Sequence, residues 1–459
     1  MPTTRVQIQS VSVAGFKSLR DRQEIKIRPI TILAGPNNSG KSSFMQPFLL
    51  MKQTQEEQVN SGPLLLSGPQ AEFENYRELF WRNGAGSNPP VFRVGMKVDD
   101  QVGTEQSYEL ERKGDGIQSE IALAESRLFF YKKTYAFRLG KLVALHELPE
   151  VVAEAYKQKR PNAPQNTKLE VIARNGFIVY REAAAPNDDA SSPGMVGGEL
   201  RWCPMLGLDD LVRDMIHLPG LRGNPARKYD LTFSSEQNRR RVRYSGSFLT
   251  YVAGLLYEWT DSKDSLGAEK TLRLNGYLRQ LGFTSGLRVS RISDTGAEIE
   301  VQRVMTEDRD FSDVVNIADV GIGLSQTLPI LVALLAAHNG SLVHIEQPEI
   351  HLHPRAQYDL AEIISNAIAN SHARVVIETH SPLLILGFQT LVAQGKLQAS
   401  DVGLNWFTRD KEGVTTVAAA ELDERGRFGD WPVDFDETSL FAQGEYMTAQ
   451  REYLKRHKP

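Results

Sequence analysis

"ITILAGPNNSGKSS", residues 30–43, is the stretch whose reading decides the fold. Ile30-Thr31-Ile32-Leu33 is a short apolar and β-branched run, the pattern of a strand buried on both faces. Gly35 and Pro36 break it, and "SSFMQPFLLMK" (42–52) continues with helical character. Between strand and helix, Gly35 to Ser42 matches G-x-x-x-x-G-K-[ST] in full. Glycines at those positions let backbone N–H groups curl inward around phosphate oxygens, and the following helix start adds partial positive charge. The candidate phosphate-cradling residues are Gly35, Asn37, Asn38, Ser39, Gly40, Lys41, Ser42 and Ser43. Lys41 is spaced to reach the β- and γ-phosphates, and the Ser42 hydroxyl to ligate Mg²⁺, so ATP and Mg²⁺ are the expected cofactors. The alternative, a glycine-rich turn in a solvated loop, leaves the strand and helix flanks unexplained.

A second well-patterned segment spans about 310–390. "DVGIGLSQTLPILVALL" (319–335) sets Gly321, Gly323, Ser325 and Gln326 at the start of an apolar helix, where backbone N–H groups suit a phosphate. "IEQPEIHLHP" (345–354) closes an apolar strand on Glu346, whose carboxylate falls at the C-terminal edge of a sheet. Glu346 joins Ser42 as a candidate magnesium residue. Its alternative is a solvated strand-end acid. The next position is Gln347, an amide that can orient water but cannot accept its proton. Glu349, beyond Pro348, is the nearest substitute base. "ARVVIETHSPLLI" (373–385) is another apolar strand, and His380 after it is placed to sense a γ-phosphate, a core histidine being the alternative. The candidate catalytic residues are thus Glu349, His380 and Gln347. His351 and His353 have H-x-H spacing but no convincing third metal ligand, so that loop is read as a subunit contact. In the helix after it, Ala356, Leu360, Ile363, Ile364 and Ala367 form a core face.

The rest of the chain bounds this reading. At 459 residues it should form two to three lobes. A formal charge of -4 gives no global basic field for DNA or anionic lipid. Cys203 is the single cysteine, Pro2-Thr3-Thr4-Arg5 shows no apolar leader, and the stretch around 328–338 is too short to span a bilayer. The expectation is a soluble cytoplasmic protein without a membrane partner. The fold class expected is α/β, a head split between the two ends of the chain with a mixed β and helical insertion between them. Its expected parts are 1–55 and 311–390 for the head, a β-rich 56–206 with an exposed loop at 183–198, a helical 207–310, and an extension at 391–459. "NRRRVRY" (238–244) is the dense basic cluster, either a contact for DNA phosphates or a solvated face. Asp434 and Asp436 form a D-x-D without a strand frame and read as an acidic surface loop rather than a nuclease metal pair.

Taken together, "GFKSLRD" (15–21), "ITILAGPNNSGKSS", "DVGIGLSQTLPIL", "IEQPEIHLHP" and "IETHSP" (377–382) resemble the motifs of ABC-superfamily ATPases of the SMC-like and OLD-like kind, in the prokaryotic AAA15/AAA21-type group. "LPGLRGNPARKY" (218–229) and "WPVDFDE" (431–437) also look like segments of that group. The likeness covers both ends closely and the middle poorly. It implies Walker A roles for Lys41 and Ser42, the magnesium acid at Glu346 and the switch at His380. It also implies that Ser325, with Gly321 and Gly323, caps the γ-phosphate held by an opposite subunit, hence a head-to-head dimer or higher oligomer. Two departures stand out. Gln347 replaces the usual catalytic glutamate, which predicts slow hydrolysis, and no glutamine is clearly the Q-loop, Gln53 being the nearest guess. Such ATPases occur in antiphage defence modules of the Septu, PARIS, Gabija and retron-associated types, beside a separate or fused nuclease. The leading expectation is a nucleotide-gated sensor or scaffold controlling a separate effector. The alternatives are a DNA-clamping repair or recombination ATPase, with DNA as partner, and a non-hydrolysing interaction subunit.

Overall fold

The computed structural model describes residues 7–57, 62–81, 90–113, 118–148, 150–159, 161, 167–174, 177–182, 199–200, 208–232, 244–261, 265–303 and 313–429. The loop at 183–198, Cys203, residues 238–243 of the basic cluster, Asp434, Asp436 and "WPVDFDE" lie outside them.

The architecture is α/β. Its centre is a six-stranded sheet in the spatial order Ile216–Leu218, Leu342–Glu346, Arg374–Glu378, Ile30–Ala34, Val402–Arg409, Thr415–Glu421. Neighbours are parallel up to Val402–Arg409, and the last strand returns antiparallel as a hairpin. Alternate side chains serve two cores. Ile30, Ile32, Val343, Ile345, Val375 and Ile377 pack with residues of helices Ile322–Ala336 and Pro354–Ser371. Leu33, Leu342, Val376 and Phe407 pack with Phe44, Phe48 and Met51 of helix Lys41–Glu56. Both faces are covered, which is why these strands read as unbroken apolar runs.

Across helix Lys41–Glu56 lies a second, antiparallel six-stranded sheet, built from Ser10–Ala14, Gln23–Lys26, Val91–Lys97, Val102–Lys113, Gln118–Phe130 and Lys133–Phe137. Its Val11, Val13, Phe92 and Tyr108 share the core of that helix. On the other side, helices Val252–Asp261 and Ser265–Gln280 and strands Leu287–Arg291 and Gly296–Gln302 close the first core.

Two features depart from the sequence pattern. The span 207–310, which reads as helical, also contributes Ile216–Leu218 to the edge of the central sheet, paired with Val343–Ile345. Three residues are too few to display a strand period. Residues 402–421, beyond the expected end of the head at 390, complete the same sheet next to the strand that leads into the phosphate loop. Among the described residues no helix is long and apolar enough to cross a membrane.

Candidate nucleotide-binding site

The loop 35–40 is folded by glycines that have no substitute. Gly35 has φ 144° and Gly40 φ 101°. A Cβ on Gly35 would meet the Phe407 carbonyl at 2.3 Å, and one on Gly40 the Thr415 hydroxyl at 2.6 Å. Both obstacles belong to the C-terminal hairpin, which therefore forms the seat of the loop. The Thr415 hydroxyl lies 2.8 Å from both the Ser39 carbonyl and the Ser18 hydroxyl. Lys41 Nζ donates to the carbonyls of Gly35 (3.0 Å) and Pro36 (2.7 Å). Burial lowers its pKa, while Glu378 and Glu349 pull it back up.

A cleft of about 360 Å³ opens over this loop. Asn37, Asn38, Gly40, Lys41, Ser42 and Ser43 line one wall, with Ser18, and Glu346, Gln347, Glu378 and His380 line the other. The structure thus brings into one cavity residues more than 300 positions apart in the chain.

The acidic wall is a ladder. Glu346 and Glu378 are register partners at the ends of adjacent parallel strands. His217 and His344 are register partners two residues earlier, and their rings stack at 5.1 Å and 15°. Each histidine reaches diagonally to the acid on the next strand. His217 Nε2 lies 3.0 Å from Glu346 Oε1, and His344 Nε2 lies 3.0 Å from Glu378 Oε1. The Gln70 amide donates to the Gly246 carbonyl, which turns its oxygen to His217 Nδ1 at 2.9 Å. Burial lowers the His217 pKa, and the hydrogen bond with Glu346 raises it back in part. Burial opposes the Glu346 charge, yet the His217 hydrogen bond, the nearby imidazoles and the Gly220 N–H hold its pKa down to about 2. Ser42 Oγ donates not to Glu346 but to Glu378 Oε2, at 2.7 Å.

Gln347 follows Glu346 in a left-handed backbone, φ 44°. Its N–H donates to the Glu378 carbonyl at 2.7 Å, and its carbonyl accepts from the Arg222 guanidinium at 3.1 Å. Glu349 stands behind this wall rather than in it. Its Oε1 accepts the His380 N–H at 2.7 Å, and burial raises its pKa against that donor and the Arg222 charge. His380 itself faces the cleft, its pKa lowered by burial and by Lys41.

The signature turn lies elsewhere. Gly321 caps helix Ile322–Ala336. A Cβ on Gly323 would meet the His351 carbonyl at 2.8 Å, which fixes the turn against the loop holding His351 and His353. The Ser325 hydroxyl donates to the Ile322 carbonyl at 2.9 Å. Gln326 is buried, donating to the Gly223 carbonyl and accepting from the Arg222 N–H. None of the four lines the cleft of its own chain. Gln53 is also buried, bracing the backbone of Leu65, Gln70 and Ala71.

Ser42, Glu346 and Glu378 converge as hard oxygen donors, the chemistry that suits Mg²⁺ bound with substrate phosphates. Such an ion would neutralise phosphate charge between the two walls. His217, His344 and Glu346 also offer ligand atoms within 4.8 Å of one another. Both imidazole Nε2 atoms are engaged with carboxylates, so the histidines serve the acids. Glu378, His344, His217, Gln70 and Arg222 are the site residues that sequence reading did not single out. For Glu378, His344 and His217 the visible signal is an ionisable residue inside or ending a strand that is otherwise apolar, whereas Gln70 and Arg222 lie in loops and give none.

Two family models match the chain: "AAA ATPase domain" over residues 7–107 and "AAA domain, putative AbiEii toxin, Type IV TA system" over residues 227–386. The first span holds the phosphate loop, and the second holds the signature turn, the acidic strand and His380. They support an ABC/AAA-type ATPase. No curated protein matches the sequence. Among solved structures, the chain is similar to an SMC head bound to the C-winged helix domain of ScpA, at 12% identity over 91% of this chain and 98% of that one, TM-score 0.44. It is also similar to the SMC head domain from Thermotoga maritima, at 9% identity over 90% and 98%, TM-score 0.36. A third is the Smc head with an extended coiled coil bound to the C-terminal domain of ScpA derived from Pyrococcus furiosus, at 10% identity over 90% and 96%, TM-score 0.42.

Proposed function

We propose that this protein holds Mg-ATP between its phosphate loop and its acidic ladder, hydrolyses it slowly, and uses the nucleotide state to gate a separate effector. The observation that carries this reading is the single cleft shared by Lys41, Ser42, Glu346, Glu378 and His380, with the amide of Gln347 beside Glu346. The groups for binding and charge neutralisation converge, while the position after the magnesium acid has no proton-accepting carboxylate. A nucleotide that stays bound suits a switch better than a motor. Ser325, outside its own chain's cleft, is assigned to the nucleotide of a second copy, so that ATP draws two heads together. The setting we assign is an antiphage defence complex with a nuclease effector, in keeping with the Type IV TA system wording of one matching model.

The test is direct. Purified protein should bind a fluorescent ATP analogue with Mg²⁺ and turn ATP over well below the ~10 s⁻¹ typical of enzymes. Absence of nucleotide binding, or turnover at or above that level, would overturn the reading. Phage plating with wild type and Lys41→Ala beside the neighbouring genes tests the setting; equal protection by both proteins removes it.

A further inference from the structure

We infer that Glu378 is a second acid of the magnesium–ATP site, ordering Ser42 and facing the cation together with Glu346, and that His344 positions it. This rests on the Mg-ATP reading of the cleft and adds the residue through which the phosphate loop and the acidic wall are joined.

Three observations carry it. Glu378 and Glu346 occupy equivalent places, as register partners at the ends of adjacent strands, and both line the cleft. The hydroxyl that the G-x-x-x-x-G-K-[ST] pattern assigns to magnesium, Ser42 Oγ, is hydrogen-bonded to Glu378 at 2.7 Å. Glu346 is occupied differently, by His217 Nε2 at 3.0 Å and the Gly220 N–H at 3.2 Å. The third observation is charge. The Glu378 side chain is 3% exposed, its Oε1 faces the wholly buried His344 ring, and the Lys41 ammonium in the same cleft feels its charge. A buried carboxylate is costly unless paired. A hydroxyl, an imidazole and the Lys41 ammonium, which Glu378 favours against burial, surround this carboxylate. With that ammonium committed to the loop carbonyls and to phosphate, a divalent cation on the Ser42 side would supply its remaining partner.

The ladder supplies the positioning role. The diagonal from His344 to Glu378 repeats the diagonal from His217 to Glu346 one strand over. Each acid thus has one oxygen held from behind. For Glu378 the other oxygen is presented to Ser42. Holding a carboxylate by imidazole in this way is how supporting groups tune metal affinity, and losing such a partner typically costs ~10–100-fold in that affinity.

The experiment titrates Mn²⁺ into full-length protein with a fluorescent ATP analogue, reading nucleotide affinity by anisotropy and bound Mn²⁺ by electron paramagnetic resonance. Glu378→Gln is nearly isosteric and keeps a group for both Ser42 and His344. It should raise the half-saturating Mn²⁺ concentration ~10–100-fold, and His344→Gln should raise it by a smaller factor. Half-saturation within about twofold of wild type in both variants, whatever their melting temperatures, would show a purely structural Glu378 and overturn the inference. Should Glu378→Gln not fold, His344→Gln decides alone by the same criterion. Wild-type protein that binds no nucleotide with Mn²⁺ would remove the Mg-ATP reading and this inference together. Metal-dependent wild-type binding with unaffected variants removes the inference alone.

Discussion

The two walls of the cleft are built by opposite means. The phosphate loop is one continuous stretch, 35–43, whose shape is dictated by glycines pressed against Phe407 and Thr415. The acidic wall is gathered from strand ends at His217, His344 to Gln347, and Glu378 to His380, and no local rule shapes it. Its geometry is a consequence of register: shift one strand by a residue and the histidine or acid it carries turns to the other face. The loop should therefore fail outright when a key group is removed, whereas the ladder should respond in degrees, because each acid has a neighbour built alike.

Lys41→Ala tests the first half of that contrast and has the largest expected effect. Lys41 is the cation of the cleft wall, and its ammonium already sits among the carbonyls of the loop it must serve. At nucleotide concentrations near 100 Kd the wild type should gain roughly 2.7 kcal/mol of stability, seen as a rise in melting temperature, and the variant almost none. An equal rise in both proteins would put ATP somewhere else.

Ser325→Arg addresses a surface that neither wall supplies. Its hydroxyl is satisfied by the Ile322 carbonyl within its own helix start, and the residue lines a separate hollow of about 100 Å³. An arginine there should leave the monomer folded and abolish ATP-dependent pairing of heads. Mass measurements with and without ATP decide it, and unchanged pairing would argue against a signature that works across subunits.

The hydrolysis step comes next in size. Restoring an acid with Gln347→Glu should raise single-turnover hydrolysis by up to ~10²-fold, the lower range for a positioned base. Glu349→Gln should change the residual rate by less than about tenfold, because that carboxylate faces the His380 backbone and does not line the cleft. A collapse of activity in Glu349→Gln would mean that the wall rearranges to bring Glu349 forward. The graded picture of the ladder would then need a moving part.

How much of this was legible follows from the same contrast. The strand at 30–34, the loop, the helix after it, and the strands ending at Glu346 and Glu378 could all be read, because buried parallel strands and a glycine-rich loop leave contiguous patterns. Glu378 was in plain view in "IETHSP", yet its partnership with Ser42 depends on which strands are neighbours, and one sequence does not state strand order. Leu33 sits between Glu378 and Asn405 in the sheet, a relation no spacing reveals. His217 was hidden more deeply. It belongs to a three-residue strand in a stretch that otherwise reads as helix and loop, and only pairing with Val343–Ile345 makes it a rung. The C-terminal hairpin was missed as part of the head for a related reason: its job is to seat glycines nearly four hundred positions away.

The smallest expected effect is the most discriminating about the ladder, and it concerns pH. Glu346 and Glu349 lie three residues apart and are displaced in opposite directions. Glu346 is held down to about 2 from the ordinary 4.5, against its burial, by His217, His344 and Gly220. A depressed carboxyl stabilises the fold above its unfolded value, and that contribution is lost as pH falls from about 4.5 toward about 2. Glu349 is raised above 4.5 by burial, the His380 N–H and Arg222 compensating only in part. A raised carboxyl costs stability at neutral pH, and the cost disappears as pH falls through its folded value toward 4.5. Glu346→Gln should therefore be less stable than wild type at pH 7, by roughly 1–3 kcal/mol for a buried partner left unmatched, with the gap closing on acidification. Glu349→Gln should be more stable than wild type at pH 7, and its gap should also close as pH drops toward 4.5. Urea unfolding of the three proteins across the acid range measures both gaps. Two differences of the same sign at pH 7 would show that these neighbouring acids are not held as the ladder requires, one with its charge favoured by histidine and one with its charge opposed by burial.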